Sequence, residues 1–251
     1  MDMSQNHKKI ANNIPLVSII IRTKNEEKYL EQILEILKKQ TYQDFEIIVV
    51  DDNSVDKTLK IATKYKCKII SVPKGQFSHP RSCNLGAENA RGKYLVFLNG
   101  HTIPDSEKFL ENGLKNFEDN KTAGVYSIPL AHKDGTPTDK ILHNIAGYTL
   151  GIIKYKAGKY SPNLLGTTNA IIKKGLWEKY KFKEDLNQGW GGEDCDWARH
   201  FLESGYKIIH DPKFRARHSH HLKFKDFFWQ LNNWRKMFTA GNVPEKQRKN
   251  F

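Results

Sequence analysis

The segment GWGGEDCDWARHFL places two adjacent carboxylates, Glu193 and Asp194, directly behind a glycine pair. Gly191 and Gly192 give a flexible entry. Trp197, Ala198, Phe201 and Leu202 then recur at helical spacing, so the two acids fall in a first helical turn. The helix dipole favours acidic residues there whatever else they do. A carboxylate at a loop–helix junction is also placed to accept a proton from an acceptor hydroxyl. The dipole lowers the pKa of such a base, and a partly desolvated pocket lined by Trp190 offsets that. Three further polar clusters close apolar runs: Arg22-Thr23, Asp51-Asp52 and Asn99-Gly100-His101. The last follows YLVFL, where Asn-Gly is a common turn pair. The histidines of RHSHH have two readings. They form a solvated basic loop, or an extended strand that turns His218 and His220 one way and His221 the other.

The elements that must carry these residues alternate along the first half. PLVSIII (15–21), FEIIVV (45–50), CKIISV (67–72) and KYLVFL (93–98) read as strands. Between them, helices are expected over 26–40, over 54–65 with Ser54 and Asp56 as its capping start, and over 80–92 closed by Gly92. Pro104 is expected to open a further helix, SEKFLENGLKNF. This alternation predicts right-handed βαβ units, a mostly parallel sheet and an α/β fold. Ligands of such sheets sit outside the carboxyl ends of the strands, where all three clusters lie. No GxGxxG follows the first strand, which argues against an NAD-type dinucleotide site. Residues 131–165 read as an excursion over the sheet, 167–180 as a strand then a helix, and KIIHD as a short strand.

In this order, VSIIIRTKNEEKYLEQIL, FEIIVVDDNSVDKT, PRSCNLGAENARGKYLVFLNG and GWGGED resemble the inverting family 2 glycosyltransferases of GT-A fold, over roughly residues 15–210. The resemblance implies a Rossmann-like, mostly parallel sheet flanked by helices. It divides the chain into a polar tail (1–14), a GT-A domain (15–221) and a basic C-terminal segment (222–251). Within the domain, 15–105 is the nucleotide-binding half and 106–221 the acceptor half. It implies a nucleotide-sugar donor near Arg22, Thr23, Asp51, Asp52, Arg81 and Asn99, with Asp52 by the base. A carboxylate accepts from the imide N–H of uracil or thymine, which favours UDP or dTDP. It implies Asp194 as general base, with Glu193 or Trp190 steadying the acceptor. Where the family carries Asp-x-Asp for Mn²⁺ or Mg²⁺, this chain reads Asn99-Gly100-His101. The polypeptide N-acetylgalactosaminyltransferases use Asp-x-His there with a later histidine, so His101 and a second histidine, His218 or His220, are the expected ligands. The alternative is that Arg and Lys neutralise the diphosphate. A catalytically silent nucleotide-sugar or glycan-binding module is a second reading. The altered turn supports it, and Glu193-Asp194 opposes it.

Composition bounds the partners. The chain has 251 residues, 38% hydrophobic and 27% charged, with a formal net charge of +13. Eleven Lys/Arg against three Asp/Glu lie between Tyr206 and Phe251. Phe224, Phe227, Phe228, Leu231, Trp234 and Phe238 share one helical stripe there, flanked by Lys223, Lys225, Arg235 and Lys236. Core packing is one use of such a stripe. An interfacial helix on anionic lipid is the other, suited to a lipid-linked glycan acceptor. The polar N-terminus has no apolar signal core, which predicts a cytoplasmic chain, peripheral at the inner face of the membrane. Cys67, Cys83 and Cys195 lack paired spacing and read as reduced thiols. Charge and aromatics alone suggest nucleic acid, but no motif supports it, and no nucleic-acid partner is expected.

Overall fold

The computed structural model describes residues 15–147, 165–186 and 192–230. In chain order the elements are β1 (Val17–Thr23), α1 (Glu27–Lys38), β2 (Phe45–Asp51), α2 (Thr58–Lys64), β3 (Lys68–Ser71), α3 (His79–Glu88) and β4 (Tyr94–Asn99). Then come β5 (Ile103–Pro104), α4 (Phe109–Lys115), β6 (Thr122–Tyr126), α5 (Pro137–Lys140), β7 (Asn169–Lys173), α6 (Lys174–Lys179), α7 (Glu193–Glu203), β8 (Lys207–His210) and β9 (Ala216–Arg217). A π-helical stretch, Ile141–Gly147, follows α5.

Seven strands form one sheet in the order β3-β2-β1-β4-β7-β6-β8, in which β7 runs against its neighbours and the other pairings are parallel. Alternation along β1 and β4 divides the interior into two layers. Ile20, Leu95 and Phe97 face a core with Trp177, Trp197 and Phe201. Ile19, Ile21, Val96 and Leu98 face the other, with Phe109, Phe214 and α1. Leu30, Ile33, Leu34 and Leu37 of α1 are fully buried, each contributing roughly 1.5–3 kcal/mol.

Register positions the site. Arg22 pairs with Asn99 across β1 and β4, and Thr23 pairs with Asp51 across β1 and β2. All three polar clusters therefore meet at one sheet edge, as the alternation predicts.

Several boundaries differ from expectation. The first strand is shifted to Val17–Thr23, because Pro15 has no N–H to give and the pairing extends to Thr23. Ser54 and Asp56 do not open a helix. Ser54 Oγ accepts from Asn25 N at 2.8 Å and Asp56 Oδ2 from Glu27 N at 3.0 Å, so they lock two loops together; α2 begins only at Thr58, whose N–H donates to Asp56 Oδ1 at 2.9 Å. The third helix ends at Glu88, and Gly92 N donates to Ser18 Oγ at 2.8 Å, at the start of β4. Pro104 opens no helix. Ile103 and Pro104 pair antiparallel with Arg217 and Ala216, and Asp105 holds Arg215 at 3.0 Å and Arg217 at 2.6 Å. This ribbon lays the RHSHH segment beside the end of β4. In the excursion, Thr136 and Asp139 form a capping box on α5; residues 148–164 lie outside the described residues.

Candidate active site at the carboxyl edge of the sheet

Glu193 and Asp194 begin α7, and the N-cap Gly192 has φ 125°, a conformation that only glycine adopts without strain. Glu193 is 1% exposed, and its Oε2 has no hydrogen-bond partner among the described residues. Asp194 accepts from Thr167 N at 3.1 Å and from Cys195 N at 2.8 Å. Burial, then the Asp194 charge, pushes the Glu193 carboxyl up to about 7. Burial also raises Asp194, against the opposing pull of the two backbone N–H groups and Arg22. Burial thus outweighs the dipole here. The Asp194 charge pushes Glu193 up, while no such push from Glu193 acts on Asp194. The first proton therefore belongs on Glu193, leaving Asp194 as the carboxylate. Trp190, the expected lining residue, lies outside the described residues.

Arg22 ties this acidic pair to the end of β4. Its guanidinium donates to Asn99 Oδ1 and, at 3.1 Å, to the Thr167 carbonyl, whose own N–H holds Asp194. A third contact, 3.3 Å, is with His79 Nδ1. Burial and the Arg22 charge lower the His79 pKa to about 4, so this imidazole is neutral and can accept. Asp51 is turned inward, accepting from Thr23 Oγ1 (3.1 Å), Ser54 N (2.9 Å) and Ser54 Oγ (2.5 Å). Asp52 is 4% exposed and paired with Lys24 at 2.7 Å. Arg81, in the first turn of α3, contacts Gln76 at 2.6 Å and Glu184 at 3.5 Å.

Across from the acids stands a group of histidines. His101 Nδ1 donates to Glu26 Oε1 at 2.6 Å, and His132 Nε2 donates to the His101 carbonyl at 2.8 Å. Gly100 makes the first contact possible, since a Cβ there would lie 2.5 Å from Glu26 Cγ. His218 N donates to the Leu130 carbonyl at 2.7 Å. The rings of His101 and His218 lie 4.6 Å apart, those of His218 and His220 4.5 Å, and those of His101 and His220 5.2 Å. His221 turns away, stacked 6.2 Å from Tyr29, with φ 52°. RHSHH is thus extended at its middle, with His218 and His220 on one side. Burial and the neighbouring histidines hold His218 well below the usual range, so it offers a lone pair at neutral pH. The chemistry suits a divalent ion: imidazole nitrogens stand together, and the Nε2 of His101 is buried without a partner among the described residues. Glu26, His132 and His143 were invisible as participants in the sequence, because the start of α1, the loop after β6 and the π-helical stretch bring them here from distant positions.

The chain matches the glycosyl transferase family 2 model over residues 18–181. It is 28% identical over 192 residues to the O-antigen chain rhamnosyltransferase WbaN of Salmonella anatum, covering 73% of this chain and 59% of that protein. It is 30% identical over 154 residues to the poly(ribitol-phosphate) beta-N-acetylglucosaminyltransferase TarS of Staphylococcus aureus, covering 55% of this chain and 26% of that one. The chain therefore spans little more than half, or less, of these two relatives. Among solved structures, the mannosyltransferase PcManGT from Pyrobaculum calidifontis, in complex with GDP-Man and Mn²⁺, aligns with TM-score 0.70 at 18% identity, over 93% of this chain and 64% of that one. TarS 1–349 with UDP aligns with TM-score 0.63 at 18% identity, over 92% and 68%. The sheet order and these likenesses give the chain the GT-A fold, and with the family match over most of its described core it belongs to glycosyl transferase family 2.

Proposed function

We propose that the chain transfers a sugar from a nucleotide-sugar donor, UDP- or dTDP-linked, to a hydroxyl of a glycan or lipid-linked glycan, with inversion, in surface polysaccharide or glycoconjugate synthesis. One observation carries the reading. Buried Glu193 and half-buried Asp194 lie with a histidine group at one edge of the sheet, joined by Arg22 through Thr167 on one side and Asn99 on the other.

Asp194 is the group that accepts the acceptor's proton as its oxygen attacks the anomeric carbon. A carboxylate with a raised pKa is a stronger base than an exposed one, and its two backbone hydrogen bonds fix its direction. Glu193, buried beside it, steadies the acceptor side together with Trp190. Asp52 pairs with the imide N–H of the donor base. Thr23 and Arg81 line the donor side, while Arg22, Asp51 and Asn99 hold its edge in shape. His101 and His218 would hold a divalent ion, which would supply positive charge against the leaving diphosphate. The ions and donors in the relatives' structures, Mn²⁺ with GDP-Man and UDP in TarS, support a site of this kind. The test is a screen of nucleotide-sugars by nucleotide release, with and without Mn²⁺. Release from UDP- or dTDP-sugars that rises with acceptor is expected. No release from any donor, with or without acceptor, would refute the reading.

A further inference from the structure

The histidine group departs from the expected ion site in a way that the Asn99 contacts define. A guanidinium has only donors, so the atom of Asn99 facing Arg22 is its oxygen, Oδ1. Its Nδ2 faces Thr168 Oγ1 at 3.4 Å and His218 Nε2 at 3.5 Å. The side-chain oxygen of Asn99, the last residue of β4, is thus committed to Arg22, and the amide turns N–H groups toward the imidazoles.

In its place stand three nitrogens. One ligand atom each from His101, His218 and His220 lies within 4.8 Å of the others, near enough for side-chain rotation to bring them onto one ion. His101 Nδ1–H is fixed on Glu26, so its lone pair is on Nε2, the buried atom with no partner among the described residues. Ligating histidines are oriented in this manner, with one ring nitrogen on a carboxylate and the other free. The backbone is held on both sides, by His132 Nε2 on the His101 carbonyl (2.8 Å) and by His132 N on Ser219 Oγ (2.9 Å). His220 is exposed, which leaves the outer side of the group open.

We infer that His101, His218 and His220 form a three-nitrogen cation site in which Asn99 takes no part, selecting imidazole-seeking ions such as Zn²⁺ or Co²⁺ over Mg²⁺. This deepens the transferase reading and rests on it for the open position, which faces the donor diphosphate. Two carboxylates would cancel the charge of a divalent ion. Three neutral imidazoles leave it whole, to offset a diphosphate of about two negative charges.

The test is chelator-stripped full-length protein titrated with Co²⁺, Zn²⁺ and Mg²⁺ in the absence of nucleotide, followed by calorimetry and by visible Co²⁺ absorption. One equivalent of Co²⁺, displaced by Zn²⁺ and not by Mg²⁺, is expected. His220→Ala, at an exposed position that folding does not need, should weaken Co²⁺ by about tenfold or more, and Asn99→Ala should leave it within about twofold. Unchanged affinity in folded His220→Ala, or an equal loss in Asn99→Ala, overturns the site. Because ion binding is read without donor, that outcome leaves sugar transfer to be judged separately by nucleotide release.

Discussion

Arg22 and Asn99 are register partners on adjacent strands, and the guanidinium of one holds the amide oxygen of the other while also holding the carbonyl of Thr167. A single side chain, 8% exposed, thereby fixes both the turn that carries His101 and the residue that orients Asp194. Lysine keeps the charge but not the fork. We expect Arg22→Lys to fold and to lose turnover by about 10–100-fold, since misplacement by an ångström costs that much. Sugar transfer at the normal rate would show that the fork is dispensable.

Asp52 should report on the donor base. Its partner Lys24 is 62% exposed, so removing the carboxylate strands no buried cation. Asp52→Ala is expected to weaken UDP or dTDP by about 1.5–3 kcal/mol, the range for a hydrogen bond to a charged group. Calorimetry on the folded variant decides, and equal affinity removes the assignment.

The acidic pair gives a test in which pH does the work. Asp194→Asn keeps the shape and loses the proton acceptor, so turnover should fall by roughly 10²–10⁴ with donor affinity retained. In Glu193→Gln the acid limb of the pH–rate profile should stay where it is, because Glu193 is already protonated, hence uncharged, where Asp194 titrates. Stability does move. The Glu193 pKa is raised from 4.5 to about 7 in the folded chain, so between these values the folded state holds more protons than the unfolded one. Stability from this group is therefore present below pH 4.5 and lost as pH rises to about 7, on the order of 3 kcal/mol in all. Glu193→Gln should accordingly gain on wild type at pH 8 relative to pH 4.5 in thermal melts. A pH-independent difference would mean that Glu193 ionises as an ordinary glutamate.

How legible was this site? The strand ends were readable because runs such as SIIIR and YLVFLN are short, apolar and stop at polar residues, and a parallel sheet brings such stops to one edge. The Glu193-Asp194 junction was readable for a similar local reason. Pro104 was misleading: its fixed φ suits a helix start and an edge strand alike, and only its pairing with Ala216 decides. The Ser54 and Asp56 side chains looked like caps because their competing partners, Asn25 and Glu27, are about thirty residues away in sequence. The same holds for Glu26 and His101, 75 positions apart, whose contact no periodicity announces.

The last expectation concerns the basic aromatic segment. Phe224, Phe228 and Trp229 are 75%, 69% and 52% exposed, beside Lys223 and Lys225, while residues 231–251 lie outside the described residues. Among the described residues no helix is long and apolar enough to cross a membrane. Three large rings next to two ammonium groups match the chemistry of an anionic lipid surface, where rings enter the headgroup region and each cation contributes about 1 kcal/mol. The full chain should float with vesicles containing anionic phospholipid, less so with neutral ones, and release as salt screens the charge. Phe224→Ser/Phe228→Ser/Trp229→Ser should lower flotation while leaving the melting temperature near wild type, because these rings are largely outside the core. If a chain ending at Lys223 floats as well as the full chain, the lipid contact lies elsewhere. If the triple variant melts many degrees lower, the rings are packed against the protein and the stripe is core after all.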